Sequence, residues 1–374
     1  MFTISKRIQA IEASGIRRVF DLAAKLKNPI NFSIGQPDFD VPPAIKREAI
    51  LAIRQGFNKY VPTQGILPLR QKIAEKLKRE NQIDAKAEEI LITAGVSGGL
   101  FLAFAALLNP GEEIIVPDPY FVAYKQLLKF LGAKPRFVST YPDFCLRPEK
   151  IEAIVNRKTK AILLNSPNNP TGQVLERATI EAMVRIAKKH NLWLISDEVY
   201  EAFIFDGRKN FSPANIYEKT ITLNGFSKIY AMTGWRLGYL HGPKEIVAEM
   251  AKLQQYTFVC GPSFAQKAAL KGLDMNFEKE IKRNYQRKRD LIYHGLRDHF
   301  RVVKPEGAFY LFPQAPDGRG MDFVERAVKK NVLLVPGSVF SERNSHFRIS
   351  FAATEKTIYE GVKILTKMVG SYKL

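Results

Sequence analysis

Asn224-Gly225-Phe226-Ser227-Lys228-Ile229-Tyr230-Ala231-Met232-Thr233-Gly234-Trp235-Arg236-Leu237-Gly238-Tyr239 carries the most specific pattern in the chain. It follows the apolar, β-prone residues 220–223, so Lys228 is expected just after a strand, where open α/β sheets bind ligands. A lysine amine can condense with an aldehyde, and Arg236 offers a planar, charged fork that suits a phosphate. The stretch therefore predicts a phosphorylated aldehyde cofactor.

This pattern resembles the lysine motif of class I, fold-type-I aminotransferases, which depend on pyridoxal 5'-phosphate (PLP). The resemblance implies that Lys228 bonds covalently to PLP and moves a proton at the substrate α-carbon, while Arg236 holds the phosphate. It also implies an α/β fold with two domains. The large one, residues 44–282, contains a mainly parallel, doubly wound sheet, and residues 1–43 and 283–374 form a small α+β domain.

Composition is typical of a soluble globular enzyme, with 374 residues of which 46% are hydrophobic and 25% charged. Cys145 and Cys260 offer no disulfide framework, and the histidines show no metal-ligand spacing. Residues 1–18 contain no signal-peptide core, and the longest apolar run, residues 98–108, is shorter than the roughly 20 residues that span a bilayer. We therefore expect a cytoplasmic enzyme without a metal and without a membrane segment.

The net charge of +20, from 57 basic and 37 acidic residues, raises nucleic acid as a partner. The basic residues are scattered along predicted helix faces, however, and form no long block. We therefore expect amino acid and 2-oxo acid substrates and no nucleic-acid site.

Apolar runs alternate with amphipathic segments, as in α/β proteins. Helices are predicted at residues 16–27, 43–55, 97–108 and 176–190, and one long basic helix at 263–299. Strands are predicted at residues 31–39 (broken at Gly35), 89–93, 113–116, 161–164, 192–195, 220–223, 307–312 and 331–335.

A phosphate site is predicted where the strand 89–93 turns into the next helix. The backbone amides of Gly95, Val96 and Ser97 would face an anion on the helix N-terminus, which its dipole favours. The glycine spacing matches neither the dinucleotide fingerprint nor the P-loop, so those two classes are excluded.

The resemblance assigns the cofactor ring to four further residues. Phe121, after the strand 113–116, would stack on the ring, although the neighbours Tyr120 and Tyr124 are alternatives. Asn169, in an Asn-Pro-Thr-Gly motif with a cis bond before proline, would bind the phenolic oxygen. Asp197 would bind the protonated ring nitrogen and keep the ring an electron sink, and Tyr200 would share the phenolic oxygen with Asn169.

Substrate binding is implied for residues near both ends of the chain. Gly35 would place its amide near the substrate carboxylate, Arg348 would bind that carboxylate through two nitrogens, and Asn169 would lie beside it. Tyr60 belongs to a motif whose tyrosine reaches the cofactor phosphate of a neighbouring subunit. The resemblance therefore implies a homodimer.

Two positions depart from the family pattern. Some acidic-specific members have a lysine where this chain has Ser97, which disfavours aspartate specificity. Many relatives carry Ser or Thr at the position of Gly225, so Ser227 would have to compensate or the phosphate would lose one hydrogen bond. We expect aromatic or broad amino donors with 2-oxoglutarate as an acceptor.

Other functions are compatible with part of this pattern. An aspartate- or alanine-preferring aminotransferase, or a fold-type I PLP lyase, would use the same cofactor residues, and only product and rate analysis separates them. A PLP-responsive regulator would need a DNA-binding domain, for which residues 1–27 are too short. A binding protein without activity would not need Lys228, Asp197 and Arg348 together.

Overall fold

The computed structural model describes residues 3–13, 15 and 26–370. The chain begins with α1 (Lys6–Gln9), β1 (Ile30–Asn31), α2 (Pro43–Arg54) and α3 (Leu67–Lys76). Helix α2 buries Ile45, Ala49 and Ala52, which are spaced for one helix face.

A seven-stranded sheet and most of its covering helices follow. They are β2 (Ile90–Ala94), α4 (Gly95–Leu107), β3 (Glu113–Asp118), α5 (Val122–Leu131), β4 (Lys134–Ser139), α6 (Pro148–Glu152), β5 (Thr159–Asn165), α7 (Arg177–His190), β6 (Trp193–Asp197), β7 (Thr220–Gly225), β8 (Leu237–His241) and α8 (Lys244–Thr257). The strand order is β2-β8-β7-β6-β5-β3-β4, and all pairs are parallel except the two that β8 makes.

The sheet is covered by helices on both faces, as a parallel sheet requires. Ile114 and Val116 of β3 join the apolar cluster that includes residues of α4, α5 and α8, whereas Ile115 joins the cluster that includes α7. Successive side chains of a strand point to opposite faces, so each strand contributes to both layers. The predicted α/β fold with a mainly parallel, doubly wound sheet is confirmed.

The C-terminal part contains smaller sheets. Its elements are α9 (Ser263–Leu273), α10 (Glu278–Leu296), β9 (Tyr310–Leu311), α11 (Gly320–Lys329), β10 (Val332–Leu333), β11 (Val335–Pro336), β12 (Phe347–Ser350) and α12 (Glu355–Gly370). Strand β12 lies between β11 and β9 in an antiparallel sheet, and β10 pairs in parallel with β1. The first strand of the chain is thereby joined to its C-terminal part.

Several predicted boundaries are wrong. The single helix at 263–299 is two helices, α9 and α10, separated at residues 274–277, where Asp274 and Asn276 are weak helix formers. The strand predicted at 31–39 is limited to β1, because its partner β10 is only two residues long. The strand predicted at 307–312 is reduced to β9, and that at 331–335 is divided into β10 and β11.

The predicted strands of the large sheet agree with the structure to within two residues at each end. Most of the predicted helix 16–27 lies outside the described residues. Within the described ranges, no helix combines the length and the apolar character needed to cross a membrane.

Candidate active site

Polar residues meet at the carboxyl edge of the sheet. Asp197 ends β6 and Lys228 follows β7, as predicted, and they are joined by Asn165 at the end of β5, which was not a predicted site residue. They surround a cavity of about 320 Å³. The predicted site residues that line it are Gly35, Val96, Ser97, Phe121, Asn169, Asp197, Tyr200, Ser227, Lys228, Arg236 and Arg348.

Lys228 extends into this cavity with its amine close to the backbone of the β1–α2 loop. Its Nζ donates a hydrogen bond to the carbonyl oxygen of Gly35 at 2.6 Å. Burial and the nearby charge of Arg348 lower the pKa of Lys228 to about 8, although Asp197 opposes the change. A large share of Lys228 is therefore a neutral amine, able to act as a nucleophile, near pH 8.

Asp197 is buried at the inner wall of the cavity and is 3% exposed. Its Oδ2 accepts a hydrogen bond from the Tyr124 hydroxyl at 2.7 Å, and its Oδ1 accepts one from the Val199 amide at 3.3 Å. Burial raises the pKa of Asp197 to about 6, while those two hydrogen bonds and Lys228 act in the opposite direction. At neutral pH the group remains a carboxylate.

The sequence offers Tyr124 only as an alternative for stacking on the ring and does not indicate its hydrogen bond to Asp197. The available signal was its position three residues after Phe121, at the start of α5. Tyr120, in contrast, stacks on Phe137 with ring centroids 4.7 Å apart and does not line the cavity. Phe121 lines it, in edge contact with Tyr124.

We expect Tyr124→Phe to move the acidic limb of the pH–activity profile upward. On the predicted role of Asp197 as a carboxylate, activity is present above its pKa of about 6 and is lost as pH falls through that value. Removing the hydroxyl removes a bond that lowers this pKa, so activity should be lost about one pH unit higher. The measurement is kcat/KM against pH, with the exposed Tyr359→Phe as control. An unchanged limb would contradict the role of Tyr124.

Three glycines allow the start of α4 to sit against strands β7 and β8. Gly225 and Gly238 are paired across these strands, and a Cβ on Gly238 would lie 2.6 Å from the carbonyl carbon of Gly95. A Cβ on Gly95 would lie 2.6 Å from a guanidinium nitrogen of Arg236. The glycines therefore bring the N-terminal amides of α4 and Arg236 to one place, as a phosphate site requires.

Close packing of the backbone explains why position 225 is a glycine. A Cβ at this position would lie 2.9 Å from the Gly238 Cα and 3.2 Å from the Leu237 carbonyl oxygen, both backbone atoms. A serine or threonine would therefore separate β7 from β8. The hydroxyl of Ser227, which lines the cavity, is the nearby alternative in the sequence.

We expect Gly225→Ser to weaken PLP binding rather than to strengthen it. Strand separation should destabilise the protein by about 1–3 kcal/mol and displace Arg236. The measurements are the PLP dissociation constant and Tm, with Gly234→Ser as control, because nothing lies within 4 Å of a Cβ at Gly234. Tighter PLP binding with an unchanged Tm would show that the missing hydroxyl matters more than the close packing.

Arg348 lies on β12 and is almost fully buried at 1% exposed. It donates to the Asn169 Oδ1 at 3.1 Å and to the Ser33 carbonyl oxygen at 2.7 Å, and it lies over the ring of Tyr310. Its Nε has no partner within the described ranges. A buried guanidinium with an unsatisfied nitrogen beside the cavity fits a ligand carboxylate.

Tyr310 was not predicted, because nothing in its sequence surroundings marks it as a site residue. Its hydroxyl lies 2.8 Å from that of Tyr200, and it lines the cavity. A Cβ on Gly35 would lie 2.7 Å from the Tyr310 hydroxyl oxygen, so the lack of a side chain at Gly35 permits this close approach. The structure also bears out the cis bond between Asn169 and Pro170.

Tyr60 and Gly95 do not line the cavity. Gly95 contributes by its place beside Arg236 at the start of α4. Tyr60 is 83% exposed and lies outside the group of predicted residues that line the cavity.

The residues present fit PLP, since a helix N-terminus next to Arg236 suits its phosphate, Asp197 suits its ring nitrogen and Lys228 suits its aldehyde. This combination on a doubly wound sheet defines a PLP-dependent enzyme of fold type I. The chain belongs to the family "Aminotransferase class I and II", whose model matches residues 27–365. It is a PLP-dependent transaminase.

Individual relatives are similar over their whole length. The chain is 40% identical to an aromatic-amino-acid aminotransferase 2 of Thermococcus litoralis, with 99% of each chain covered. It is 39% identical to a probable aspartate aminotransferase of Methanocaldococcus jannaschii, covering 98% of this chain and 99% of that one. The solved structure of Thermus thermophilus aspartate aminotransferase with maleate has a TM-score of 0.94 and 36% identity, covering 98% of this chain and 100% of the other.

Proposed function

We propose that this aminotransferase takes the amino group from aromatic L-amino acids, or from a broad range of them, and gives it to a 2-oxo acid such as 2-oxoglutarate. The observation that carries this proposal is the set of cations at the cavity. Among the described residues that line it, the basic side chains are Lys228, Arg236 and Arg348. Each has a proposed role in the reaction, so no further cation of the same chain lines the cavity to select an amino donor by its side-chain carboxylate.

The experiment compares kcat/KM for phenylalanine, aspartate and alanine with 2-oxoglutarate as the acceptor. We expect phenylalanine to be used at least as well as aspartate, because no cation among the described residues of the cavity is left to select a donor by its side-chain carboxylate. A strong preference for aspartate or for alanine would replace this proposal by the corresponding alternative. Identification of the products distinguishes transamination from a lyase reaction.

The cofactor contacts are assigned to residues at the edge of the sheet. Lys228 is the attachment point, and the amides of Gly95, Val96 and Ser97 form one side of the phosphate site. Ser227 and Arg236 form the other side. Phe121 covers one face of the ring, Asp197 binds its nitrogen, and Asn169 and Tyr200 share its phenolic oxygen. When bound, PLP withdraws electrons from the substrate α-carbon and accepts the amino group.

The chain's own groups then bind the substrate and move its proton. Arg348 holds the α-carboxylate with Asn169 and the backbone of Gly35 beside it, which fixes the α-carbon near Lys228. Once the amine of Lys228 is no longer bonded to the cofactor, it takes the proton from the α-carbon of the amino donor. In the second half of the reaction it delivers a proton to the α-carbon that comes from the 2-oxo acid. Asp197 stays negatively charged. Tyr200 donates a hydrogen bond from its hydroxyl to the phenolic oxygen, and the hydroxyl of Tyr310 holds Tyr200 in position.

We assign Tyr60 to the phosphate site of a second copy of the chain in a homodimer. Its exposure of 83% is unusual for an aromatic residue, and the exposed face of α2 nearby carries Ile50, Leu51 and Ile53, each at least 45% exposed. Such an apolar surface favours a protein partner.

Tyr60→Phe should therefore raise the PLP dissociation constant by about tenfold, as expected for one hydrogen bond to a charged group. The control is Tyr256→Phe, since Tyr256 is 87% exposed and has no predicted role. Sedimentation should give a mass twice that of the 42.4 kDa chain. A monomer with full activity would contradict both the dimer and this role.

The domain division stays a proposal, with residues 44–282 in a large domain and residues 1–43 and 283–374 in a small one. The pairing of β1 with β10 supports a small domain built from both ends of the chain. A cytoplasmic location is proposed because Cys145 and Cys260 are unpaired thiols. Cell fractionation tests it.

A further inference from the structure

A second cavity, of about 690 Å³, lies next to the active site. Val199 lines both cavities, and the inner wall of the second one includes Asn224, Gly225 and Phe226 at the end of β7. Lys228 does not line it. A molecule bound there would not face the amine of Lys228, which contacts Gly35 in the other cavity, so the second cavity is considered as a site for a ligand other than the substrate.

The inner wall carries polar groups without partners. Tyr230 and Tyr239 are 6% and 4% exposed, both line the cavity, and neither hydroxyl forms a hydrogen bond within the part of the chain that the structure describes. The Nδ2 of Asn224, which is 4% exposed, also has no partner there. The two hydroxyls are therefore free to bind a polar molecule in the cavity.

An acid and a base on one helix at the cavity also lack partners among the described residues, as does the exposed Lys209. Glu278 and Lys282 lie one turn apart on α10, and neither forms an ion pair or a side-chain hydrogen bond among the described residues. Burial raises the pKa of Glu278 and lowers the pKa of Lys282. By contrast, Lys76 and Glu201, which line the same cavity, are paired with each other.

The opposite charges of these two residues favour a zwitterionic ligand. Residues four apart on a helix have Cβ atoms about 5–6 Å apart, so Glu278 and Lys282 can both contact one small molecule, Glu278 at the molecule's ammonium and Lys282 at its carboxylate. The carboxyl groups are not grouped to hold a metal ion in the described ranges. Phe226, Ile229 and Leu273 add an apolar wall.

We propose that this cavity binds a free α-amino acid with an apolar side chain, as a ligand distinct from the substrate. Its ammonium contacts Glu278, its carboxylate contacts Lys282, and the hydroxyls of Tyr230 and Tyr239 complete the polar contacts. The side chain lies against Phe226 and Leu273.

The test is calorimetric titration of PLP-loaded Arg348→Gln with L-phenylalanine, because this variant lacks the proposed carboxylate group of the active site. We expect binding without a change in the cofactor absorbance. Adding Glu278→Gln with Lys282→Gln, or Tyr230→Phe with Tyr239→Phe, should weaken it by about tenfold or more. The exposed Lys279→Gln on the same helix is the control.

Two further probes separate the parts of the ligand, phenethylamine without a carboxylate and 3-phenylpropanoate without an ammonium. Both should bind about tenfold more weakly than phenylalanine. Equal binding of phenethylamine, binding that the cavity substitutions do not change, or no binding to Arg348→Gln would each overturn the proposal. If a double substitution prevents folding, Lys282→Gln alone gives the same decision.

Discussion

Lys228→Ala is expected to reduce the turnover number by about 10⁴-fold or more, the largest effect of any substitution considered. On the proposed roles of Lys228, the substitution removes both the attachment point of the cofactor and the group that moves the α-proton, and proton transfer alone contributes about 10²–10⁴-fold. The visible absorbance of the covalently bound cofactor should be lost as well. Single-turnover kinetics with phenylalanine and an absorbance spectrum measure the two effects.

The control for this substitution is Lys252→Ala, an exposed lysine with a 65% exposed side chain that pairs with Glu249. It should keep both activity and absorbance. A Lys228→Ala enzyme with normal turnover and an unchanged spectrum would remove Lys228 from its role.

The depressed pKa of Lys228 gives a second measurement on the wild type. A neutral amine is needed to capture PLP, so the rate of cofactor uptake by the cofactor-free protein should rise with pH and level off above about 8. An ordinary lysine would show this increase about two pH units higher. A rate that still rises steeply at pH 10 would contradict the effect of burial and Arg348.

Asp197→Asn is expected to lower kcat by about 10²–10³-fold, the range found when one preorganised electrostatic group is removed. The neutral amide cannot hold the ring nitrogen in its protonated form, although it retains the shape of the site. Because the charge of Asp197 raises the pKa of Lys228, the pH dependence of cofactor uptake should also shift downward. Steady-state kinetics and the uptake rate measure the two effects.

Glu198→Gln is a matched control for Asp197, since Glu198 is the next residue and is also buried, at 1% exposed. Its carboxyl accepts hydrogen bonds from Ser196, Ser212 and Asn210 instead of facing the active-site cavity. Burial and the charge of Glu201 raise its pKa to about 7. The control should change stability more than kcat. Equal losses of kcat in both variants would mean that Asp197 has no special role.

Asp197 and Glu198 are adjacent in sequence but lie in different environments, so a residue's surroundings cannot always be predicted from its sequence neighbours. Apolar runs predicted five of the seven strands of the large sheet, because burial on both faces demands continuous apolar residues, but β4 and β8 were not predicted. Short strands in the C-terminal part were predicted too long, since their length is set by partners such as β1 and β10 that are distant in sequence. The long helix at 263–299 was wrong because periodicity does not register a brief interruption.

The residues of the candidate site likewise divide into those that local motifs predict and those that depend on tertiary packing. Motifs next to the strands predicted Asp197, Asn169, Lys228 and Arg236, and all four meet at one cavity because the carboxyl ends of parallel strands share an edge. Tyr310 was missed, since its approach to Tyr200 depends on how the C-terminal part packs against the large sheet.

The sequence by itself determined the family, the cofactor and the residues that the strand ends present, because local patterns of burial and charge are written along the chain. Tertiary structure alone decided that Tyr124 supports Asp197, that Gly225 must be small because Gly238 faces it, and that Glu278 and Lys282 border a second cavity. These features depend on contacts between segments far apart in sequence. Such contacts are set by how the segments pack together, and no local sequence pattern encodes that packing.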